Sequence, residues 1–332
     1  MKPTLKDVAR MAGVSTATVS RILNSTDGYS PETRLRVMEA IETLGYLPLR
    51  PPPSTFEPIR PAIGLVFPKV SSMLIGRVLS GVQQEAQKRG HLVVVCHTDG
   101  TLRSTLDHLQ LLVQHQVRGV IFASEILQRE YHELLLQAGI PVVLLSSMSY
   151  QFDVPYVRCD DRRAACEATL HLLNLGHRDI AILAGARSDP FSSTARVEGY
   201  VDAHMQLGLP IKEHHIVYSR GFSFEDGQEG FHFLLQRETA VSALFACSDE
   251  LAAGALLAAQ TRGVKVPDQL SIMGFDNLLL TETTVPALTT VAQPFEDMGR
   301  EAVQLLLNPT EGSRNRVLPV RIIERASVRS LP

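Results

Sequence analysis

The chain has no tryptophan among its 332 residues, and it also lacks paired cysteines and long apolar runs. None of its four cysteines forms a CxxC pair, so we expect reduced, buried thiols at Cys96, Cys159, Cys166 and Cys247. No apolar run approaches the roughly 20 residues that a membrane-spanning helix needs. The N-terminus does not have the charged and then apolar layout of a signal peptide, which predicts a cytoplasmic protein.

Motifs of common enzymes are also missing. The sequence contains no Walker loop, no HExxH and no GxSxG, and its glycines do not cluster as a nucleotide-binding loop requires. His214 and His215 are adjacent but have no further ligands at metal-binding spacing, so we interpret them as a surface pair. These absences disfavour an enzyme, and they predict no metal and no cofactor.

Residues 4–24, TLKDVARMAGVSTATVSRILN, have the pattern of two short helices joined by a tight turn. Thr4 and Asp7 have capping-box spacing at the start of the first helix. Gly13 suits the left-handed end of that helix, and Ser15 suits the cap of the second. The apolar residues expected to face inward are Leu5, Val8, Ala9, Ala12, Val19, Ile22 and Leu23.

A third helix is predicted to start at Ser30-Pro31-Glu32, where a capping hydroxyl precedes proline and an acidic residue. Its expected buried stripe is Val37, Met38, Ile41 and Leu44, with Gly45 at its end. The alternative interpretation is a small helical bundle with no role at DNA. Charge gives weak support to DNA binding, since residues 1–60 hold eight Lys/Arg against six Asp/Glu and the remainder holds 24 against 29.

The first two helices have the arrangement of a helix-turn-helix, in which the second helix enters the major groove and its first residues reach base edges. Arg21 is suited to a bidentate contact with guanine, and Thr16 and Ala17 to hydroxyl and methyl contacts. Ser and Thr hydroxyls would also bind phosphates. The residues that we expect at DNA are Thr4, Ser15, Thr16, Ala17, Thr18, Ser20, Arg21, Asn24 and Tyr29.

From residue 62 onward, short apolar runs alternate with polar-faced segments of helical length. The first series of runs covers residues 62–67, 92–96, 119–123 and 141–145, and the second covers 179–183, 215–219, 242–246 and 270–275. Such alternation predicts two doubly wound α/β subdomains with parallel sheets. Their natural ligand site is the crevice at the carboxyl ends of the strands.

Several polar residues follow the predicted strands, namely Asp160, Asp161, Arg196, Ser248, Asp249 and Asp276. Carboxylates and a guanidinium around one cleft suit a polyhydroxylated ligand, because carboxylates accept hydroxyl hydrogen bonds and arginine donates several. Asp249 would equally serve as a helix cap. Phe191 and Phe275 would line either the cleft or the core, with the core favoured for Phe275.

The chain resembles the lac repressor/galactose repressor (LacI/GalR) family of bacterial transcription regulators. The resemblance rests on DVARMAGVSTATVSRILN, on Leu44-Gly45-Tyr46-Leu47-Pro48 and on FACSDELAAGALLAAQTRGVKVPDQLSIMGFDN, and it extends over nearly the whole chain. It implies a helix-turn-helix headpiece, with Thr16, Ala17 and Arg21 reading bases, followed by a two-lobed core like that of periplasmic binding proteins. It also implies dimer contacts on that core.

The resemblance further implies effector contacts at Arg196, Ser248, Asp276 and Phe295, to which we add Ser72 and Asp160 as expected contacts. One segment departs from the family pattern. Where the family has an aromatic-rich stretch after the first strand, this chain has Ser71-Ser72-Met73-Leu74-Ile75-Gly76. Together with the absence of tryptophan, this departure predicts less stacking surface for a sugar ring.

The predicted domains are a headpiece at 1–48, a proline-rich linker at 49–61 and an effector-binding and dimerisation core at 62–332. In the family the linker commonly forms a hinge helix whose leucine enters the DNA minor groove. Pro51-Pro52-Pro53 disfavours such a helix, since each interior proline costs roughly 3 kcal/mol. Thr55 stands where the leucine is expected, with Phe56 or Leu49 as substitutes. We therefore hypothesise that the hinge helix is absent or shifted.

These features predict a sequence-specific transcription regulator, a repressor of a carbohydrate-utilisation operon that responds to a sugar-like effector. Two headpieces are expected to read a palindromic operator, so a homodimer is expected. The chain ends soon after its last predicted strand without a heptad tail, which predicts no tetramerisation helix. The alternatives are a solute-binding protein and an enzyme on the same fold.

Overall fold

The computed structural model describes residues 3–23, 29–44, 46, 61–68, 72–237, 240–309 and 314–332. The chain divides into two compact units, residues 1–59 and residues 60–332. Several predictions lie outside the described residues, namely those for Asn24, Gly45, the proline linker and the candidate wedge residues Leu49, Thr55 and Phe56.

The smaller unit contains three helices, α1 Leu5–Ala12, α2 Thr16–Leu23 and α3 Pro31–Leu44. At the start of α1 the Asp7 carboxylate accepts hydrogen bonds from the Thr4 amide at 2.9 Å and from the Thr4 hydroxyl at 2.6 Å. Gly13 ends the helix with a φ of 65°, which glycine adopts without strain. The predicted cap and turn are therefore confirmed.

The other two helices start at the predicted hydroxyl caps. The Ser15 hydroxyl accepts the amide hydrogen of Thr18 at 3.1 Å, and the Ser30 hydroxyl accepts that of Thr33 at 3.2 Å. Each bond satisfies a backbone donor that the first helical turn leaves without a partner.

The core of this unit is formed by Val8, Ala9, Ala12, Val19, Ile22, Val37 and Ala40. The prediction for α3 is wrong at Met38, which is 49% exposed, while Ala40 is buried. The inward stripe of α3 is Val37, Ala40, Ile41 and Leu44, at the regular i, i+3, i+4, i+7 spacing. Met38 lies one position outside that stripe. Its position on the helix, and not its large apolar side chain, therefore determines its exposure.

The larger unit contains two six-stranded sheets, and all eight strands of the two predicted series are present. The first stretch comprises β1 Ala62–Phe67, α4 Ser72–Lys88, β2 Leu92–His97, α5 Leu102–Gln114, β3 Val120–Ala123, α6 Arg129–Gln137, β4 Val142–Leu145 and β5 Tyr156–Cys159. The second comprises α7 Asp161–Asn174, β6 Ile180–Ala184, α8 Ala195–Gln206, β7 Ile216–Tyr218, α9 Phe224–Gln236, β8 Ala243–Ala246, α10 Asp249–Thr261, β9 Ser271–Asp276, α11 Leu280–Thr283 and β10 Thr289–Ala292.

The last elements, α12 Phe295–Leu307, β11 Asn315–Leu318 and β12 Arg321–Ile323, are shared between the two sheets. The first sheet has the order β11-β5-β4-β3-β1-β2 and the second β12-β10-β9-β8-β6-β7. The chain therefore leaves the first lobe after β5, returns to it with α12 and β11, and ends in the second lobe. This crossing places the carboxyl edges of both sheets in one continuous unit.

The prediction of two parallel sheets needs one correction. The pair β10–β12 is antiparallel, with Thr290 opposite Ile323, so the second sheet is only largely parallel. Because β12 runs antiparallel to β10, it can pair at the edge of the sheet without the crossover helix that a parallel strand would need.

Candidate DNA-facing helix and effector cleft

Helix α2 presents a polar face to solvent. Thr16, Ala17 and Arg21 are exposed, whereas Val19 and Ile22 on the opposite side are buried. Thr16, Ala17, Ser20 and Arg21 have the spacing i, i+1, i+4 and i+5, which places them on one side of a helix. The structure therefore presents the predicted base-reading residues together on a single surface.

The remaining residues that were predicted to contact DNA differ in their exposure. Thr4 and Ser15 are exposed and lie at the starts of α1 and α2. Thr18 and Ser20 are half-buried, and Tyr29 packs partly against the core of the smaller unit.

A buried arginine lies at the carboxyl edge of the second sheet. Arg196 is 5% exposed, and its Nε and Nη2 donate to Asp161 Oδ1 at 2.8 and 2.7 Å. Its Nη1 donates to the Cys247 carbonyl, and its guanidinium carbon lies 3.8 Å from the centre of the Phe275 ring. Three of the five N–H groups of the guanidinium are thereby committed to the protein, and two remain for a ligand.

Asp276 lies beside this arginine, at the end of β9. Its Oδ1 accepts a hydrogen bond from Gln293 Nε2 at 2.9 Å and is 3.9 Å from Arg196 Nη2. The Asp276 backbone has a φ of 118° and that of Asn277 has a φ of 57°, both in the region that non-glycine residues rarely adopt. Such backbone strain is typical of binding sites, where the surrounding structure holds a side chain in a required position.

The cluster contains three buried carboxyl groups whose pKa values are raised. Burial raises the pKa of Asp276 to about 7, and attraction to Arg196 opposes that rise. Burial and then repulsion from Asp276 raise the pKa of Asp249 well above its ordinary value. Burial also raises the pKa of Asp161, while the charges of Arg196 and Arg158 oppose the rise. For all three carboxyl groups, burial therefore outweighs the attraction of the neighbouring arginines.

One hydrogen bond joins the two lobes next to this cluster. Arg77 on α4 donates through Nη1 to the backbone oxygen of Asn277 at 2.9 Å. Because α4 belongs to the first lobe and Asn277 follows β9 of the second, this bond connects the first lobe directly to the Asp276 segment.

The other predicted effector residues are placed differently. The Asp160 carboxylate caps α7 through the Arg163 amide at 3.1 Å, and the Ser248 hydroxyl caps α10 through the Leu251 amide at 3.1 Å. Phe295 is 1% exposed in the core of the first lobe, at the start of α12. Ser72 begins α4.

Asp249 is neither a cap nor open to the cleft. Its two carboxylate oxygens accept the Thr290 hydroxyl and the Leu278 amide hydrogen, each at 2.6 Å, and the residue is fully buried. Phe275 is fully buried as favoured, and Phe191 is 8% exposed. The prediction of a histidine pair on the surface is wrong for His215, which is 3% exposed, and whose Nδ1 lies 3.1 Å from the Ile180 carbonyl oxygen.

Three buried polar residues are missing from the predicted effector set, two in the cluster and one in the turn before α8. Asp161 forms the ion pair with Arg196; its position after a predicted strand indicates a place near the cleft, but it is not among the expected effector contacts. Gln293 follows β10, a strand absent from the predicted series. Ser193 lies in a π-helical turn before α8, is fully buried, and has an Oγ with no hydrogen-bond partner among the described residues.

The four cysteines are free and buried, as expected. Within the described ranges no group of three His, Cys, Asp or Glu side chains is placed to hold a metal ion. No described helix is both long enough and apolar enough to cross a membrane.

Two family models match the chain. The model described as "Bacterial regulatory proteins, lacI family" matches residues 4–48. The model described as "Periplasmic binding proteins and sugar binding domain of LacI family" matches residues 60–326.

Curated relatives are similar over their full length. The transcriptional regulator DegA of Bacillus subtilis is 36% identical over 100% of this chain and 99% of its own. The transcriptional repressor CytR of Escherichia coli is 34% identical over 99% and 97%. These relatives are regulators of transcription, which confirms the interpretation of a regulator rather than an enzyme.

Solved structures show the same architecture. The lac repressor dimer bound to operator and an anti-inducer superposes with a TM-score of 0.74 at 25% identity, covering 99% of this chain and 100% of that one. A complex of the transcriptional regulator CelR with cellobiose gives a TM-score of 0.72 at 29% identity, covering 98% and 99%. The predicted headpiece and two-lobed α/β core are confirmed.

Proposed function

The chain belongs to the lacI family of bacterial regulatory proteins and is a regulator of transcription, and on that premise we propose that it is a repressor whose operator binding is controlled by a sugar-like effector. The observation that supports this proposal is that one chain contains two candidate binding sites. One is the exposed polar face of α2, and the other is the buried Arg196–Asp276 cluster at the carboxyl edge of a parallel sheet.

In this proposal residues 1–48 bind DNA, residues 49–61 connect the two units, and residues 62–332 bind effector and form the dimer. Thr16, Ala17 and Arg21 read bases, because they lie together on the exposed side of α2. Thr4 and Ser15 are placed at helix starts, where hydroxyls and amides suit phosphate contacts.

Arg196 and Asp276 would bind hydroxyl groups of the effector. Arg196 has donors to spare beyond Asp161 and Cys247, and the Asp276 carboxylate has accepting capacity beyond its bond with Gln293. Donor and acceptor side by side match vicinal hydroxyls, which donate and accept at once. Contacts from Asp160 or Ser248 would be made in addition to their capping bonds.

The effector-binding unit also has a surface suited to a second copy of the chain. Strand β2 is an edge strand, and its Leu92, Val94 and Val95 are 50%, 40% and 42% exposed. An apolar unpaired edge is costly in a monomer and is commonly covered by a partner. The similar lac repressor structure is a dimer on operator DNA, so we assign this edge, with the neighbouring α4, to a homodimer interface.

The test begins with selection of an operator from random duplex DNA by the purified full chain, followed by binding titrations. Arg21→Ala should weaken binding by about 1–3 kcal/mol and relax base preference at one position in each half-site. Wild-type protein should release this operator with at least one member of a sugar panel. Asp276→Asn should bind the operator normally but lose the response.

Two results would contradict the proposal. One is a selection that returns no preferred sequence. The other is a wild-type operator complex that no sugar or sugar derivative alters.

A further inference from the structure

Arg158 is a half-buried arginine near the carboxyl end of β5 in the first sheet. It stands one residue before the end of β5, and its Nε is buried with no hydrogen-bond partner among the described residues. Its guanidinium carbon lies 5.8 Å from the centre of the Tyr156 ring. A buried donor without an acceptor costs free energy, so such a group is expected to meet a ligand or solvent.

Arginines of similar burial elsewhere in the described chain all have protein acceptors. Arg196 and Arg316 are paired with buried or half-buried carboxylates, and Arg77 donates to a carbonyl oxygen. The others with acceptors are Arg89, Arg300 and Arg325. The fold thus satisfies its partly buried guanidinium groups with its own acceptors, and Arg158 departs from that pattern.

A second unpartnered polar atom lies beside it. Ser146 follows β4 directly, its Oγ is buried, and no described residue bonds to that oxygen. The Ser146 amide donates to the Val157 carbonyl at 2.9 Å, which continues the parallel register of β4 and β5 and sets Ser146 next to Arg158. A guanidinium and a hydroxyl at neighbouring register positions are donors suited to an anion.

Both residues lie towards the carboxyl end of the first sheet, the edge at which doubly wound folds commonly bind ligands. Ser146 follows β4, Arg158 lies one residue before the end of the adjacent parallel strand β5, and the chain crosses into the second lobe immediately after Cys159, at Asp160 and Asp161. The charge of Arg158 acts on the carboxyl of Asp161, which holds Arg196. The first-lobe donors are therefore close enough to the second-lobe cluster for their charges to interact, at the strand ends where such folds bind ligands.

The two parts differ in charge. In the second lobe Arg196 is already paired to Asp161 and lies 3.9 Å from the Asp276 carboxylate, so an anionic group there would meet a carboxylate. In the first lobe the buried Nε of Arg158 has no acceptor among the described residues, and the charge of Arg158 acts on Asp161, which is itself paired with Arg196. A ligand with hydroxyls at one end and an anionic group at the other matches both parts.

We propose that the effector is an anionic sugar derivative whose negatively charged group binds to Arg158 and Ser146 while its hydroxyls bind to Arg196 and Asp276. This inference rests on the proposed function and narrows its ligand class. A phosphate ester and a sugar carboxylate share the required chemistry, since both present oxygen atoms that a guanidinium binds in pairs.

The experiment compares matched ligands on the full chain by thermal shift and calorimetry. The probes are D-glucose with glucose 6-phosphate and glucuronate, D-ribose with ribose 5-phosphate, and inorganic phosphate alone. A ligand that binds the native state raises its apparent stability. We expect at least one anionic sugar to bind tenfold or more tightly than its neutral counterpart, and the phosphate and carboxylate arms identify the anionic group.

Arg158→Gln should reduce that preference to within threefold, and Arg158→Lys should retain part of it. The matched control is Arg118→Gln, an exposed arginine at the opposite edge of the same sheet, which should leave the preference unchanged. If Arg158→Gln fails to fold, the intermediate preference in Arg158→Lys is still expected.

The inference is overturned if neutral sugars bind as tightly as their anionic partners, or if neither Arg158 variant alters the preference. In that case a neutral sugar that still releases operator DNA leaves the proposed function intact. If neither neutral nor anionic sugars bind, both the inference and the sugar-responsive part of the proposed function are wrong.

Discussion

At the scale of single residues, the main feature of the candidate effector site is a buried arginine that is paired with one carboxylate and lies beside a second. Arg196 is paired with Asp161, while Asp276 is buried next to that pair with Gln293 as its hydrogen-bond donor. A buried carboxyl next to other carboxyls is easier to keep protonated than ionised. The ligand-free site therefore tends to hold a proton that the unfolded chain would release.

The raised pKa of Asp276 has a consequence for stability. The value is about 7 in the folded protein against an ordinary 3.8, so between these values the folded state binds the proton more tightly than the unfolded chain. The stabilisation is complete below the ordinary pKa and is lost as pH rises towards 7. In urea titrations without ligand, the free energy of unfolding of the wild type should fall as pH rises through this window. In Asp276→Asn the slope of that fall should be smaller by on the order of 1 kcal/mol per pH unit.

The control for this measurement is Asp107→Asn, which changes an exposed carboxyl on α5 and should leave the pH slope as in the wild type. Histidine titration is common to all three proteins and cancels in the comparison. Parallel curves for wild type and Asp276→Asn from pH 4 to 7 would contradict the raised pKa.

At the scale of elements, helix pairs are held together by backbone contact at glycine. Helices α4 and α12 cross where a Cβ on Gly81 would lie 2.0 Å from the Glu296 carbonyl oxygen. Since that atom belongs to a helix backbone, it has no side-chain freedom with which to move away. The composition of α4 does not reveal this requirement, because Gly76 in the same helix has open space at the Cβ position.

Two glycine substitutions in α4 should therefore have different effects on the free energy of unfolding. Gly81→Ala should lower the unfolding free energy by about 1–3 kcal/mol or more, because the helices must separate. Gly76→Ala should be neutral or raise it by about 0.5–1 kcal/mol, because alanine favours the helix. Denaturant unfolding of the two variants measures both, and equal effects would show that the helices do not meet as described.

At the scale of the whole molecule, the fold depends on the chain crossing repeatedly between lobes. Strands β11 and β12 come from the same C-terminal stretch, yet one joins the first sheet and the other the second. Arg77 adds a direct hydrogen bond from the first lobe to the Asn277 carbonyl. The lobes are thus connected by several chain crossings and by this hydrogen bond, while β2 leaves an apolar edge exposed.

That exposed edge leads to a prediction about assembly. Val95→Glu should convert a dimer into a monomer in sedimentation velocity, because a charge on an apolar edge disfavours pairing. Operator affinity should fall with it, since a two-fold site needs two headpieces. Leu136→Glu, which changes a 67% exposed residue on α6, should remain dimeric. A dimeric Val95→Glu protein would exclude this edge from the interface.

The sequence by itself determined the caps, the turn at Gly13 and the eight strands of the two predicted series. These features are local, since a capping hydroxyl acts within one helical turn and a buried strand is a short apolar run. The sequence also nominated Arg196 and Asp276, because polar residues after strands of a parallel sheet meet at one edge.

Only the tertiary structure decided which partners those residues have. Asp161 rather than Asp160 pairs with Arg196, Gln293 reaches Asp276 from a strand that was not predicted, and Arg158 is left without an acceptor among the described residues. These contacts join positions far apart in the chain. Their geometry depends on sheet order and on the crossing of the lobes, which local patterns do not encode.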